Sequence, residues 1–174
     1  MTVRGDATTP QAVSLGGAMW TTTSSSPDQT RALGYALGTC LLGGEVIALD
    51  GDLGTGKTCF VQGLAAGLGV PPGSVASPTF ALRHDHQGRL PLAHLDFYRL
   101  EDPDEIAWLG VLDAPDGAVI VIEWAERLPA ALPADRLHSR LTSGPGPDER
   151  AFVWTATGPI AERAFLAFQR THVG

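Results

Sequence analysis

The sequence predicts an α/β fold: a three-layer sandwich with helices on both faces of a mixed, mostly parallel sheet. Three observations carry this. Two short apolar runs rich in β-branched residues, 45–50 and 118–124, read as strands buried on both faces. Stretches of helical period lie between the strand-like segments. Near the C-terminus, two segments flank Gly144-Pro-Gly-Pro147 and read as a hairpin, which adds antiparallel pairing.

The elements follow in order. Residues 1–19 are small and polar, with no periodic pattern, and read as a flexible tail. Trp20 and the three threonines after it have strand character. Ser26-Pro27-Asp28 is a helix start: a hydroxyl cap, then Pro in the first turn, then an acid. Ala32, Leu33, Ala36, Leu37 and Leu41 continue at helical spacing until Gly43-Gly44. Strand 45–50 leads through a glycine-rich turn to a helix over 57–68 carrying Phe60, Val61, Leu64 and Leu68. Pro71-Pro72-Gly73 breaks the chain, and 79–83 and 90–97 read as strands around a polar turn at 84–88. A short helix is expected over 103–109, with acids in its first turn. Strand 118–124 ends on an acid. Segments 137–141 and 151–156 form the hairpin, and 159–170 is an amphipathic helix carrying Ile160, Phe165 and Phe168. The expected organisation is a tail (1–19), one domain (20–158) and a C-terminal helical extension (159–174).

Composition narrows the function classes. The 174 residues suit one domain, and a chain of this length buries roughly 70% of its unfolded surface. The strongest apolar stretch, 118–122, is far shorter than the roughly 20 residues of a membrane helix. No apolar segment of signal-peptide type follows Arg4, and Cys40 and Cys59 make no disulfide framework, so a cytoplasmic protein with reduced thiols is expected. The net charge of −7 argues against a broad phosphate-gripping surface. Of the 12 basic residues, eleven are Arg and one is Lys57.

That lysine falls in Gly51-Asp52-Leu53-Gly54-Thr55-Gly56-Lys57-Thr58, which matches G-x-x-x-x-G-K-[ST] between a strand and a helix. The spacing has a mechanism. Glycines permit a tight loop whose N–H groups turn inward around phosphate oxygens. The helix N-terminus adds partial positive charge. A lysine ammonium is a flexible point charge for the β- and γ-phosphates, a task to which a planar guanidinium is ill suited. The Thr58 hydroxyl is a hard oxygen donor for Mg²⁺. A P-loop NTPase-like architecture with ATP or ADP and Mg²⁺ as its ligands is the expectation.

Phosphoryl transfer also needs carboxylates at the ends of neighbouring strands. Val119-Ile-Val-Ile-Glu123 and Leu92-Ala-His-Leu-Asp96 each end an apolar run on an acid. One acid would serve the metal and the other the attacking water, and spacing alone leaves the assignment open. His84, His86 and His94 read as ordinary histidines rather than a zinc set, since no cysteine is near. Cys59, at the helix N-terminus, reads as a small core filler.

The P-loop, Ser77-Pro-Thr-Phe80, His94-Leu-Asp-Phe-Tyr-Arg99 and Ile122-Glu-Trp124 occur in this order. The set resembles the TsaE (YjeE) family, small ATPases of bacterial tRNA threonylcarbamoyladenosine synthesis, over about 26–158. The resemblance implies roles. Thr58 and Glu123 would ligate Mg²⁺, and Asp96 would position or activate the attacking water. Thr79 would be a switch residue near the γ-phosphate. Trp124 and the loop residues through Cys59 would line the nucleotide site. It also implies a complex with the TsaB and TsaD proteins, which would hold the tRNA and transfer the carbamoyl group, so this chain would touch tRNA only indirectly. Cys59 stands where the family often has a second hydroxyl, and Arg83-His-Asp-His86 is more polar than usual. Two other readings fit a P-loop in a chain this small: a small-molecule kinase, and a nucleotide-gated binding module without hydrolysis. Phosphate release without an acceptor separates the ATPase from both.

Overall fold

The computed structural model describes residues 19–108 and 112–172. The expected tail over 1–19 lies outside the described residues apart from Met19. The strands are β1 (Trp20–Ser24), β2 (Val46–Asp50), β3 (Arg83–His86), β4 (Leu92–Asp96), β5 (Val119–Glu123), β6 (Arg136–Ser143) and β7 (Arg150–Thr157). The helices are α1 (Pro27–Cys40), α2 (Lys57–Gly67), α3 (Pro103–Trp108) and α4 (Pro159–Arg170). One sheet runs in the order β1-β7-β6-β2-β5-β4-β3. The four central strands β6, β2, β5 and β4 are parallel. The antiparallel pairings β1–β7, β6–β7 and β3–β4 lie toward the two edges.

Alternation along the central strands divides the apolar residues between two cores. Ile47, Leu49, Val119 and Val121 join α1, α2 and α4 on one face. Ala48, Ala93, Leu95 and Ile122 join α3 and the turns after β5 on the other. In parallel strands buried this way both parities are apolar, which is why these segments lack an in–out pattern.

Side chains close ends of α1 and α4 on the larger core. The Ser26 hydroxyl accepts the Gln29 N–H at 3.1 Å, a cap of about 1 kcal/mol. Arg89, from the β3–β4 connection, donates to the Gly38 and Leu41 carbonyls at 2.5 and 2.9 Å and closes the C-terminal end of α1. Asp135 accepts the Ile160 and Ala161 N–H groups and caps α4 from a distant loop. Phe165 and Phe168 of α4 pack edge-on against Trp20, and Phe168 also against Trp154.

α1 and α2 touch backbone to backbone. A Cβ on Gly63 would lie 1.9 Å from the Arg31 carbonyl oxygen, and one on Gly34 would lie 2.1 Å from that of Phe60. Gly38 and Gly67 meet the partner helix as closely.

One expected strand is misplaced. Residues 79–82 form a turn, closed by the Leu82 N–H to the Pro78 carbonyl at 2.7 Å. β3 is instead the polar run Arg83–His86, expected to be mostly turn, and it pairs His84 with His94 and His86 with Leu92. β3 is an edge strand, and an edge strand needs no apolar alternation.

Candidate functional site

The C-terminal ends of β2, β4 and β5 share one edge of the sheet, with Leu49 beside Glu123 and Asp96 beside Glu123 in register. Ligands of open α/β sheets bind at such an edge. The loop from Gly51 to Gly56 leaves β2 there and enters α2. Gly54 and Gly56 have φ of 79° and 96°, left-handed values that side chains disfavour. No side chain caps the α2 N-terminus, so its free N–H groups border a pocket of about 520 Å³.

Lys57 is buried, and its Nζ donates to the Gly51 carbonyl and, at 3.0 Å, to the Asp52 carbonyl. The same ammonium lies 3.8 Å from the centre of the Trp124 ring. Burial pulls the Lys57 pKa below its ordinary 10.5, against the opposing pull of Glu123, Glu126, Asp96 and Asp52. Trp124 takes a left-handed backbone, φ 58°, which turns its ring toward Lys57 and Tyr98.

The Thr58 hydroxyl lies 2.9 Å from both carboxylate oxygens of Glu123, 65 residues away in sequence. His94, fully buried on β4, bonds Glu123 Oε1 through Nε2 at 2.8 Å. A carboxylate only accepts, so Nε2 carries the hydrogen. His94 thus serves Oε1 and the Thr58 hydroxyl is left to Oε2, and the oxygens of Thr58 and Glu123 are hard donors of the kind Mg²⁺ takes.

Asp96 is fully buried and accepts three hydrogen bonds. Ser77 and Thr79 donate to Oδ2 at 2.7 and 2.8 Å, and the Tyr98 N–H donates to Oδ1 at 2.8 Å. The carboxylate thus holds the turn that carries Thr79 against the sheet.

Lys57, Thr58, Thr79, Glu123 and Trp124 line this one pocket, with Gly54, Gly56, Leu53 and Cys59. Asp96 sits behind Thr79. Asp52 acts through its carbonyl, which also accepts the Thr55 hydroxyl at 2.8 Å. Gly51 passes close to Leu141 and donates its N–H to Glu126 at 3.1 Å. Leu53 projects outward, 85% exposed. The Cys59 thiol donates to the Pro27 carbonyl at 3.3 Å, and burial raises its pKa above the ordinary 9.0 against the influence of Arg31.

Four participants were given no role at the site from the sequence, although Ser77 and His94 lie in its motifs. His94 and Asp96 are two apart on a strand and so share a face, a signal that pairs His94 with the site. Ser77 belongs to the same short motif as Thr79. Glu126 is one 3-10 turn beyond Glu123 and takes the first N–H of the loop; burial raises its pKa. Arg150 reaches the loop carbonyl of Gly54 at 3.1 Å from β7, and nothing local in the sequence signals it.

A family model described as threonylcarbamoyl adenosine biosynthesis protein TsaE matches residues 24–151. A protein of Nostoc sp. named tRNA threonylcarbamoyladenosine biosynthesis protein TsaE is 44% identical over 124 residues, covering 67% of this chain and 74% of its own. The protein of that name from Bacillus subtilis is 39% identical over 134 residues, covering 76% and 83%. That of Mycobacterium tuberculosis is 37% identical over 145 residues, covering 78% and 86%. The crystal structure of YdiB from the same Bacillus superposes with a TM-score of 0.71 at 30% identity, over 90% of this chain and 97% of that one.

Proposed function

The chain belongs to the TsaE family of tRNA threonylcarbamoyladenosine biosynthesis proteins, and from that membership we propose that it is a Mg²⁺-dependent ATPase of the cytoplasm. The observation that carries the reading is the convergence of Lys57, Thr58 and Glu123 on one pocket under an uncapped helix N-terminus.

The residues divide the work. The loop N–H groups receive the phosphate oxygens, and Lys57 leaves its carbonyl partners to span the β- and γ-phosphates. Thr58 and Glu123 would hold Mg²⁺, with His94 fixing the carboxylate. The ion, when bound, neutralises phosphate charge and templates the triphosphate. Asp96 orients a water for in-line attack once Thr79 turns from it toward the γ-phosphate. The new bond is water oxygen to Pγ, and the bond from Pγ to the ADP oxygen breaks. Catalysis is positioning plus charge neutralisation.

The energy serves partners. As the resemblance implies, these are TsaB and TsaD, which hold the tRNA and carry out carbamoyl transfer. Hydrolysis biases them only if they bind the ATP and ADP forms with different affinity. Among the described residues no helix is long and apolar enough to cross a membrane.

The test is nucleotide binding by calorimetry and phosphate release, each with and without TsaB and TsaD. Mg-ATP binding, slow release alone and faster release with the partners are expected. ATP consumed only with a small-molecule acceptor, its phosphoryl group carried by that acceptor and no phosphate released, makes it a kinase. Binding without release in any mixture makes it a gated binding module, and no binding removes the nucleotide reading.

A further inference from the structure

Arg150 opens β7 beside the hairpin tip and turns its guanidinium onto the nucleotide loop. Nη1 donates to the Pro147 and Glu149 carbonyls at 2.9 and 2.7 Å, and Nη2 to the Gly54 carbonyl at 3.1 Å. All three acceptors are neutral. Arg31, Arg83 and Arg163 each stand 2.7–2.8 Å from a carboxylate, whereas none lies within ion-pair distance of Arg150 among the described residues. The hydrogen bonds use three of its five N–H donors and leave its charge uncompensated. Its Nε would lie 4.0 Å from a Cβ on Gly56, and its charge is felt at Cys59 in the first turn of α2. The cation therefore flanks the uncapped N–H groups. In a chain of net charge −7, an unneutralised cation placed there adds to the local positive field.

We propose that Arg150 is a positioning residue for the polyphosphate of a nucleoside di- or triphosphate. Its hydrogen bond to the Gly54 carbonyl places the cation at the loop, and its free charge deepens the anion site from the β7 side. The inference rests on the nucleotide-binding reading above. It supplies that site with a second cation, 96 residues from Gly54 in sequence.

The test uses the full chain with Arg150→Gln and Arg150→Lys. Calorimetry with Mg-ATP, Mg-ADP and AMP is run at roughly 0.05 and 0.5 M salt, where screening of exposed charge differs strongly. The melting temperature of each variant is recorded. Arg150→Gln should weaken ATP and ADP about 10-fold at low salt, AMP much less, with the gap narrowing at high salt. Arg150→Lys, which keeps the charge and loses the fork, should stay within about threefold of wild type at low salt. Wild-type affinity and salt dependence in a folded Arg150→Gln overturns the proposal alone. An equal loss at both salts in Arg150→Lys reduces Arg150 to a structural pin and also overturns it, even if the Gln variant does not fold. A wild-type chain that binds no nucleotide overturns the site reading and this inference together.

Discussion

The two walls of the pocket are built from different materials. The loop wall is backbone: the glycine-rich turn and the uncapped first turn of α2, a helix that meets α1 through glycines with no room for a Cβ. The opposite wall, the turn from Ser77 to Leu82, is held by side chains, chiefly two hydroxyls sharing one carboxylate oxygen of Asp96. The first wall resists displacement because moving α2 means moving α1. The second changes shape by trading hydrogen-bond partners. The difference locates conformational change on the Asp96 side, beside the exposed Phe80 (83%) stacked under Arg99.

The largest effect should come from breaking the rigid wall. Gly63→Val puts a side chain where a carbonyl oxygen already sits, and a loss of about 3 kcal/mol or more in urea unfolding is expected. Stability within about 1 kcal/mol of wild type would show that the helices slide, and the contrast between the walls would fall.

Next is Asp96→Asn. The Ser77 and Thr79 hydroxyls can reverse to accept from the amide, so fold and nucleotide affinity should survive. Turnover in the presence of partners should fall ~10²-fold, the scale of a lost positioned acid or base. A change within about threefold would leave Asp96 a purely structural anchor.

Ser77→Ala sharpens the comparison. It removes one of two donors to the same oxygen, so about 1 kcal/mol is expected, read as faster amide exchange over 77–82 with the α1–α2 interface unchanged. Equal loosening of α2 would couple the walls.

The smallest effect concerns the β3 edge. Burial, then the neighbouring His94 and His84, hold the His86 pKa below 6.5, with Asp85 opposing. The unfolded chain thus binds more protons between the folded pKa and 6.5, and stability declines as pH falls through that window. His86→Gln should flatten the slope in denaturant titrations at pH 5 to 7. An unchanged slope would place the titration elsewhere.

Legibility in the sequence followed contiguity. The glycine-rich loop is eight consecutive residues whose chemistry is local, and β5 announces itself as an apolar run ending on Glu123. The two carboxylates were readable as strand ends, although only the fold makes them register neighbours. β3 was not legible, because Arg-His-Asp-His lacks an apolar face and an edge position does not require one. Arg150 was not legible, because the hairpin and the β1–β7 edge bring it to the loop. The helix contact lay in between: Gly34 and Gly38, and Gly63 and Gly67, repeat at i,i+4, a spacing that puts each pair on one helix face.

The parked position of Lys57 has a consequence for which anions the loop accepts. Without ligand, one ammonium answers to two carbonyls and an indole ring. A ligand's apparent dissociation constant is its intrinsic one divided by the fraction of molecules with that ammonium released. Anions that reach only the loop N–H groups gain nothing from Lys57. A polyphosphate long enough to draw the ammonium away supplies its own opening. On the proposed function, the Lys57 contact would act as a threshold on charge density that favours polyphosphates over inorganic phosphate and monophosphates.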